Sequence, residues 1–177
     1  MPETRDRIRE AFLSRQLEEG RSLAAQSDLV QIEPVTVDEG PPCRFIVTYR
    51  CKGLVRVNGD VRIHDRFDVG IWFPGDYLRR VEPAEVVRLL GPMEVWHANV
   101  RFPFICPGRL QPGLGLVDLV YQIFEILTYH KVNAHDALNA EAAAYARDHA
   151  DHFPVDKRPL KRRRLQLSLA ARSGGVS

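Results

Sequence analysis

The sequence predicts an α+β domain. Three observations carry this. Residues 44–73 contain short stretches in which apolar and polar residues alternate. An Asn-Gly pair divides them at 58–59. Helical periodicity is confined to the flanks, up to residue 26 and again from residue 116. Strands grouped apart from helices, instead of alternating with them, mean α+β.

The elements follow in order. Residues 3–26 are charged, with Ile8, Phe12, Leu13, Leu17 and Leu23 at roughly helical spacing, an amphipathic opening helix. PVTVDEGPP (34–42) reads as a breaker-rich link. In RFIVTYRC, Phe45, Val47, Tyr49 and Cys51 share one face. LVRVNGDVRIHD sets Asn58-Gly59 between two short apolar runs, a strong hairpin signal. RFDVGIWF alternates through Phe67, Val69, Ile71 and Phe73 and stops at Pro74-Gly75. The middle is therefore expected as an antiparallel four-stranded meander. PAEVVRLL (83–90) fits strand and helix alike. PGRLQPGLG after Cys106 is a loop. LVDLVYQIFEILTYH (116–130) places Leu116, Leu119, Val120, Ile123, Phe124 and Leu127 at helical spacing, which predicts a helix packed on the sheet. The alanine-rich stretch 139–153 predicts a second C-terminal helix with Asn139 as its N-cap. The division expected is a globular domain over 1–153 and a basic tail over 154–177.

The 177 residues suffice for one domain with a real core. Composition is that of a soluble globular chain, with 45% apolar and 27% charged residues. The formal charge of +2 is unevenly spread: from Lys157 onward there are seven Lys/Arg and no Asp/Glu, so residues 1–156 carry −5. The first residues, MPETRDRIREAF, alternate in charge and lack a signal-peptide core. No stretch approaches the ~18 apolar residues of a membrane span. Three cysteines do not make a disulfide framework, so a reducing cytoplasm is the expected setting. Arginine outnumbers lysine 21 to 4, which hints at a GC-rich, bacterial genome.

Walker, GxGxxG, HExxH and nucleophile-elbow motifs are all missing from the sequence, and no cofactor is implied. His149-x-x-His152 has helical metal spacing, but no further Cys/His pair completes a four-ligand set, and a solvated helix end is the simpler reading. Cys43 and Cys51 flank a strand and read as packing residues. Cys106 is different. In WHANVRFPFICPG (96–108) it follows an apolar run and stands directly before Pro-Gly, where the chain must turn out. That is where a reactive thiol would be presented. A Cys-His hydrolase would need an imidazole on the sulfur; His97 is the candidate, without an obvious orienting acid.

Taken together, PGDYL (74–78), HAN (97–99), ICPG (105–108), QPGLGLVDLVYQIFEIL (111–127), NAHDALN (133–139) and EAAAYA (141–146) resemble the ordered motifs of ubiquitin-conjugating enzymes. That family carries a Tyr-Pro stretch after its meander, then His-Pro-Asn, an Ile-Cys-Leu active-site segment, a helix, and an Asp- and Asn-containing turn before an alanine-containing helix. The resemblance covers roughly residues 1–150 and implies a UBC-like fold. Ala98 replaces the proline of His-Pro-Asn, and the loops on either side of Cys106 are slightly shorter than usual. Leu78-Arg79-Arg80 replaces the proline and aromatic of the loop that docks ligases in the family, which argues against ordinary ligase docking here.

What the resemblance implies is thioester transfer. An activating enzyme hands the C-terminal carboxyl of a ubiquitin-like protein to Cys106, and a target amine attacks the thioester. Asn99 matches the residue that stabilises the oxyanion or orders the loop, Asp136 the acidic residue at the acceptor channel, and His97 a residue that holds the active-site loop or moves a proton. The competing readings are an inactive UBC-like module or scaffold for a ubiquitin-like protein, a cysteine hydrolase, and a nucleic-acid-binding domain with an incidental thiol. The last is not favoured, because the basic tail alone would carry it. The Gly-Gly of the terminal SGGVS reads as flexible chain end.

Overall fold

In the computed structural model, residues 6–37 and 39–162 are described. The chain folds as α+β, with a mostly antiparallel sheet covered on one face by helices. Helix α1 spans Arg7–Ala25 and is capped by Asp6, whose Oδ1 accepts from the amides of Ile8 and Arg9 at 3.1 and 3.2 Å. Phe12, Leu13 and Leu23 face the core as their spacing predicts, whereas Ile8 at the exposed end is 75% accessible. Gln16 is wholly buried on that face. Its Oε1 accepts from the amide of Leu116 at 2.7 Å, supplying the cap that Gly115 cannot give to the helix beginning at Leu116.

The main sheet runs β1 (Val30–Val35), β2 (Arg44–Tyr49), β5 (Phe67–Trp72), β6 (Val87–Gly91), β8 (Phe104–Ile105), β7 (Val100–Arg101) in spatial order. The predicted alternation puts Phe45, Val47 and Tyr49 opposite Ile71, Val69 and Phe67, all buried on one face. Cys51 and Phe73 continue that buried row. The hairpin at Asn58-Gly59 forms as expected between β3 (Gly53–Val57) and β4 (Asp60–His64), with φ of 54° and 90° at the two turn residues.

The connectivity differs from the expected four-stranded meander. The β3–β4 hairpin leaves the sheet and, among the described residues, pairs only with itself apart from one bridge from Val55 to Val95. Strand β5 then returns to pair with β2. Gly53 lies so close to Leu127 O and the Phe67 ring that a Cβ there would sit 2.6 Å from both, so the hairpin departs at a point of close backbone approach. A strand was also missed: β1 lies within the region read partly as a link. It is the sheet edge, where Pro34 is tolerated and only one face needs apolar residues.

The ambiguous stretch 83–90 is both things in turn, a single helical turn α2 (Pro83–Val86) running into β6. Helix α3 (Leu116–Leu127) buries all six residues picked out by periodicity. It stops three residues early, at Thr128, whose Oγ1 takes the Phe124 carbonyl while Tyr129 turns to φ 64°. Helix α4 (Ala140–Asp148) is capped by Asn139 Oδ1 on the Ala142 amide at 3.0 Å.

Residues 154–162, read as the start of the basic tail, lie along the body. Val155 N donates to Thr128 O at 3.0 Å, Ser27 Oγ donates to Leu160 O, and Leu160 is buried. The rest of the basic tail, with the terminal Gly-Gly, lies outside the described residues.

Candidate active site

The site is built on residues 96–108. Strands β7 and β8 form a very short hairpin, with Val100 opposite Ile105 and Arg101 opposite Phe104. Strand β8 ties this hairpin to the sheet through Arg88 of β6. The Cys106 amide donates to Asn99 O at 2.8 Å and closes the hairpin one pair beyond its strands. The seven-residue separation of Asn99 and Cys106 is therefore a hairpin with both residues at its base, where an irregular loop was expected. Pro107 and Gly108 follow, with Gly108 at φ 94°, so the chain turns away at once. Cys106 is left half-buried.

The Trp96–Asn99 segment is held from three places. Tyr129 Oη donates to Trp96 O. The Asn139 amide donates to Ala98 O at 3.1 Å. The Asn99 side chain pairs with the backbone of Asn133 in both directions: Nδ2 donates to Asn133 O at 3.2 Å, and Oδ1 accepts from Asn133 N at 2.9 Å. Asn99 thus stitches the 130–139 connection to the cysteine hairpin while itself 2% exposed. With an amide of this kind, Nδ2 keeps a second hydrogen.

His97 sits behind this layer. It is 1% exposed, and its Nδ1 accepts from the Asn99 amide at 3.0 Å. An accepting Nδ1 puts the proton of the neutral ring on Nε2. Burial pushes its pKa down to about 4, against a weaker pull from the Lys131 backbone. The ring packs edge-on against Tyr129, 4.4 Å between centroids. Its geometry orders the turn and offers no free basic nitrogen to the sulfur. Among the described residues no side chain hydrogen-bonds Cys106 Sγ.

A small hollow of about 20 Å³ opens beside the thiol, lined by Asn99, Cys106, Pro107, Gly108, Ile126, Lys131 and Asn133. That is roughly the space of one water molecule. Lys131 and Asn133 were not foreseen. Lys131 Nζ donates to Pro107 O at 3.4 Å, which places an ammonium one residue from the thiol. Asn133 also folds its own turn, its Oδ1 accepting from the His135 amide at 3.1 Å. Asp136 is exposed on the same connection, three residues past Asn133, and does not line the hollow. The structure therefore brings Cys106 and Asn99 together, sets His97 behind them, and leaves Asp136 out in solvent. Nothing in the local pattern around Lys131 marks it; proximity arises because α3 ends at Thr128 and the chain doubles back past Pro107.

Elsewhere, among the described residues no group of three His, Cys, Asp or Glu side chains is placed to hold a metal ion. His149 stacks on Tyr145 at 4.0 Å, and His152 lies beside exposed Asp151. No described helix is long and apolar enough to cross a membrane. Compared with protein-family models and with curated proteins, the chain finds no match.

Proposed function

We propose that this protein is a ubiquitin-like-protein conjugating enzyme with a divergent UBC-like fold, working in the cytoplasm with Cys106 as its thioester nucleophile. The observation that carries the reading is the base of the hairpin: a half-buried thiol closed onto Asn99, with the Asn99 amide beside it and, among the described residues, no general base on the sulfur. A hydrolase must activate its own thiol and a water, which this site is not arranged to do. A thioester carrier needs no activated water, because its acyl group is passed on to an amine and must survive hydrolysis on the way.

In the first step the Cys106 thiolate attacks the modifier's C-terminal thioester on the activating enzyme. A carbon–sulfur bond forms at Cys106, and the activating enzyme's thiolate leaves. In the second step a target amine attacks that carbonyl. The isopeptide bond forms, the Cys106–acyl bond breaks, and the amine's proton goes to solvent or to the departing sulfur. A thiolate is a far better leaving group than the amine that displaces it, so the tetrahedral adduct collapses by losing sulfur. Negative charge collects on the carbonyl oxygen between bond making and bond breaking. The second Nδ2 hydrogen of Asn99 is the donor for it, already oriented by Asn133. Asp136 would meet the incoming amine from the exposed connection, and His97 keeps the turn in register.

Intact-mass spectrometry tests the proposal. The purified protein is incubated with ATP in lysate of its source cells, with and without thiol reductant, beside Cys106→Ala. A reductant-labile mass gain that requires ATP and Cys106 is expected, and its size gives the modifier. No gain in lysate shown to contain a working activating enzyme and modifier would refute it and favour an inactive module of the same fold.

A further inference from the structure

The body of this chain is acidic, yet one open hollow is lined by four cationic side chains and one acid. Arg50 and Lys52 enter it from the β2–β3 connection, Asp65 and Arg66 from the β4–β5 connection, and Arg158 from the segment bonded to the first of these. The hollow is open and measures about 650 Å³, within the ~300–1,000 Å³ of small-ligand sites.

Arg158 is preset there by a buried carboxylate. Asp156 is 3% exposed and accepts from the Lys52 amide at 2.8 Å, the Arg158 amide at 3.0 Å, Arg158 Nε at 3.0 Å and Arg158 Nη2 at 2.7 Å. Arg158 Nη2 also donates to Arg50 O at 3.3 Å, so together with the Lys52 amide on Asp156 the 156–158 segment is tied to the β2–β3 connection at two points. Arg66 leans on Asp68 at 3.3 Å, and Arg50 Nη2 donates to Gln31 at 3.3 Å. Among the described residues Arg50 and Lys52 make no ion pair. Lys157 and Lys161 are exposed on the same segment as Arg158.

We propose that this hollow binds an oligophosphate, a compact group carrying three or more negative charges. Guanidinium forks match phosphate oxygens in pairs, and an ammonium adds a mobile point charge. Because Asp156 already orients Arg158, little side-chain freedom is lost when an anion arrives. Among the described residues no aromatic ring lines the hollow, so it offers phosphates a cradle and a nucleobase no stacking platform. Asp65 is the one acid in the lining and opposes the anion, which makes it a useful test position. This site is independent of Cys106 and of the conjugation reading.

Calorimetric titration of the full chain with sodium tripolyphosphate at low salt is the experiment. One site per chain is expected. Exchanging two charge-assisted contacts, Arg50→Gln with Lys52→Gln, should weaken binding about tenfold or more. Asp65→Asn should tighten it about threefold by removing a like charge, and it keeps the test usable if the double variant is unstable. Cys106→Ala, and Arg163→Gln with Arg164→Gln, should leave it unchanged. Flotation with phosphatidylcholine vesicles containing phosphatidylinositol bisphosphate identifies the source: capture assigns a lipid headgroup, and tripolyphosphate binding without capture assigns a soluble oligophosphate. The proposal is overturned if tripolyphosphate does not bind, if binding survives the Arg50/Lys52 change but falls with Arg163/Arg164, or if single-stranded DNA binds and tripolyphosphate does not.

Discussion

Replacing Asp156 by Asn removes one negative charge from a buried position that four N–H donors address. Those donors and the Arg158 charge hold the Asp156 pKa down at about 2, from an ordinary 3.8, although burial by itself works the other way. A depression of this size corresponds to about 2.4 kcal/mol of linkage at neutral pH, at 1.36 kcal/mol per pKa unit. Arg158 is 55% exposed, so solvent screens part of that. About 1.5–2 kcal/mol is the working figure. The direction with pH is fixed: the folded-state pKa is lowered, so the stabilisation is complete above pH ~4 and disappears as pH falls through ~2. Urea denaturation of wild type and Asp156→Asn at pH 7, 5, 4, 3 and 2.5 reads it directly. Wild type should exceed the variant by about 1.5–2 kcal/mol at pH 7 and 5, with the gap closing below pH 4. A gap under about 0.5 kcal/mol at pH 7, or one that stays constant down to pH 2.5, would refute the account of the carboxylate.

Three further outcomes are expected. Asn99→Ala removes both side-chain bonds to Asn133 and should cost about 1–3 kcal/mol in denaturant unfolding; under the conjugation proposal it also slows transfer from the Cys106 thioester to lysine by about 100-fold, read in a single-turnover discharge assay. Gln16→Leu leaves the first amide of α3 buried without an acceptor and should cost about 1–3 kcal/mol, whereas a variant as stable as wild type would show that α3 needs no cap from α1. His97, with its pKa lowered to about 4, should show ring proton shifts in NMR that stay flat from pH 8 to 5.5. Because the lowered value disfavours protonation in the folded state, its contribution is complete above pH ~6.5 and is lost as pH falls through ~4. A midpoint between 6 and 7 would place the ring in solvent and reopen it as a base for Cys106.

Much of this molecule was legible without coordinates because its signals are local. Alternation placed Phe45, Val47, Tyr49, Phe67, Val69 and Ile71 on one buried face. The Asn58-Gly59 hairpin and the Asn139 cap depend on the conformational preferences of two or three neighbouring residues, which sequence carries in full. The α+β class follows from the order of such signals. Cys106 stood out because Pro-Gly after an apolar run can only be a turn.

What tertiary structure decided was every pairing between distant segments. Strand β5 returns to β2 past an intervening hairpin because burial of the Phe67 row demands the sheet, and no local pattern encodes which strand is the partner. Strand β1 escaped notice since an edge strand with one solvated face and a proline looks like a link. Gln16 reads as a polar residue on a helix until Leu116 arrives 100 positions later to need its oxygen. Lys131 and Asn133 join the cysteine hairpin because α3 ends early, and the cationic hollow exists because Asp156 holds Arg158 against a turn 108 residues upstream. Sequence determines which residues can bury, turn or ionise; only the closed chain determines which of them meet, because that depends on many weak contacts being satisfied together.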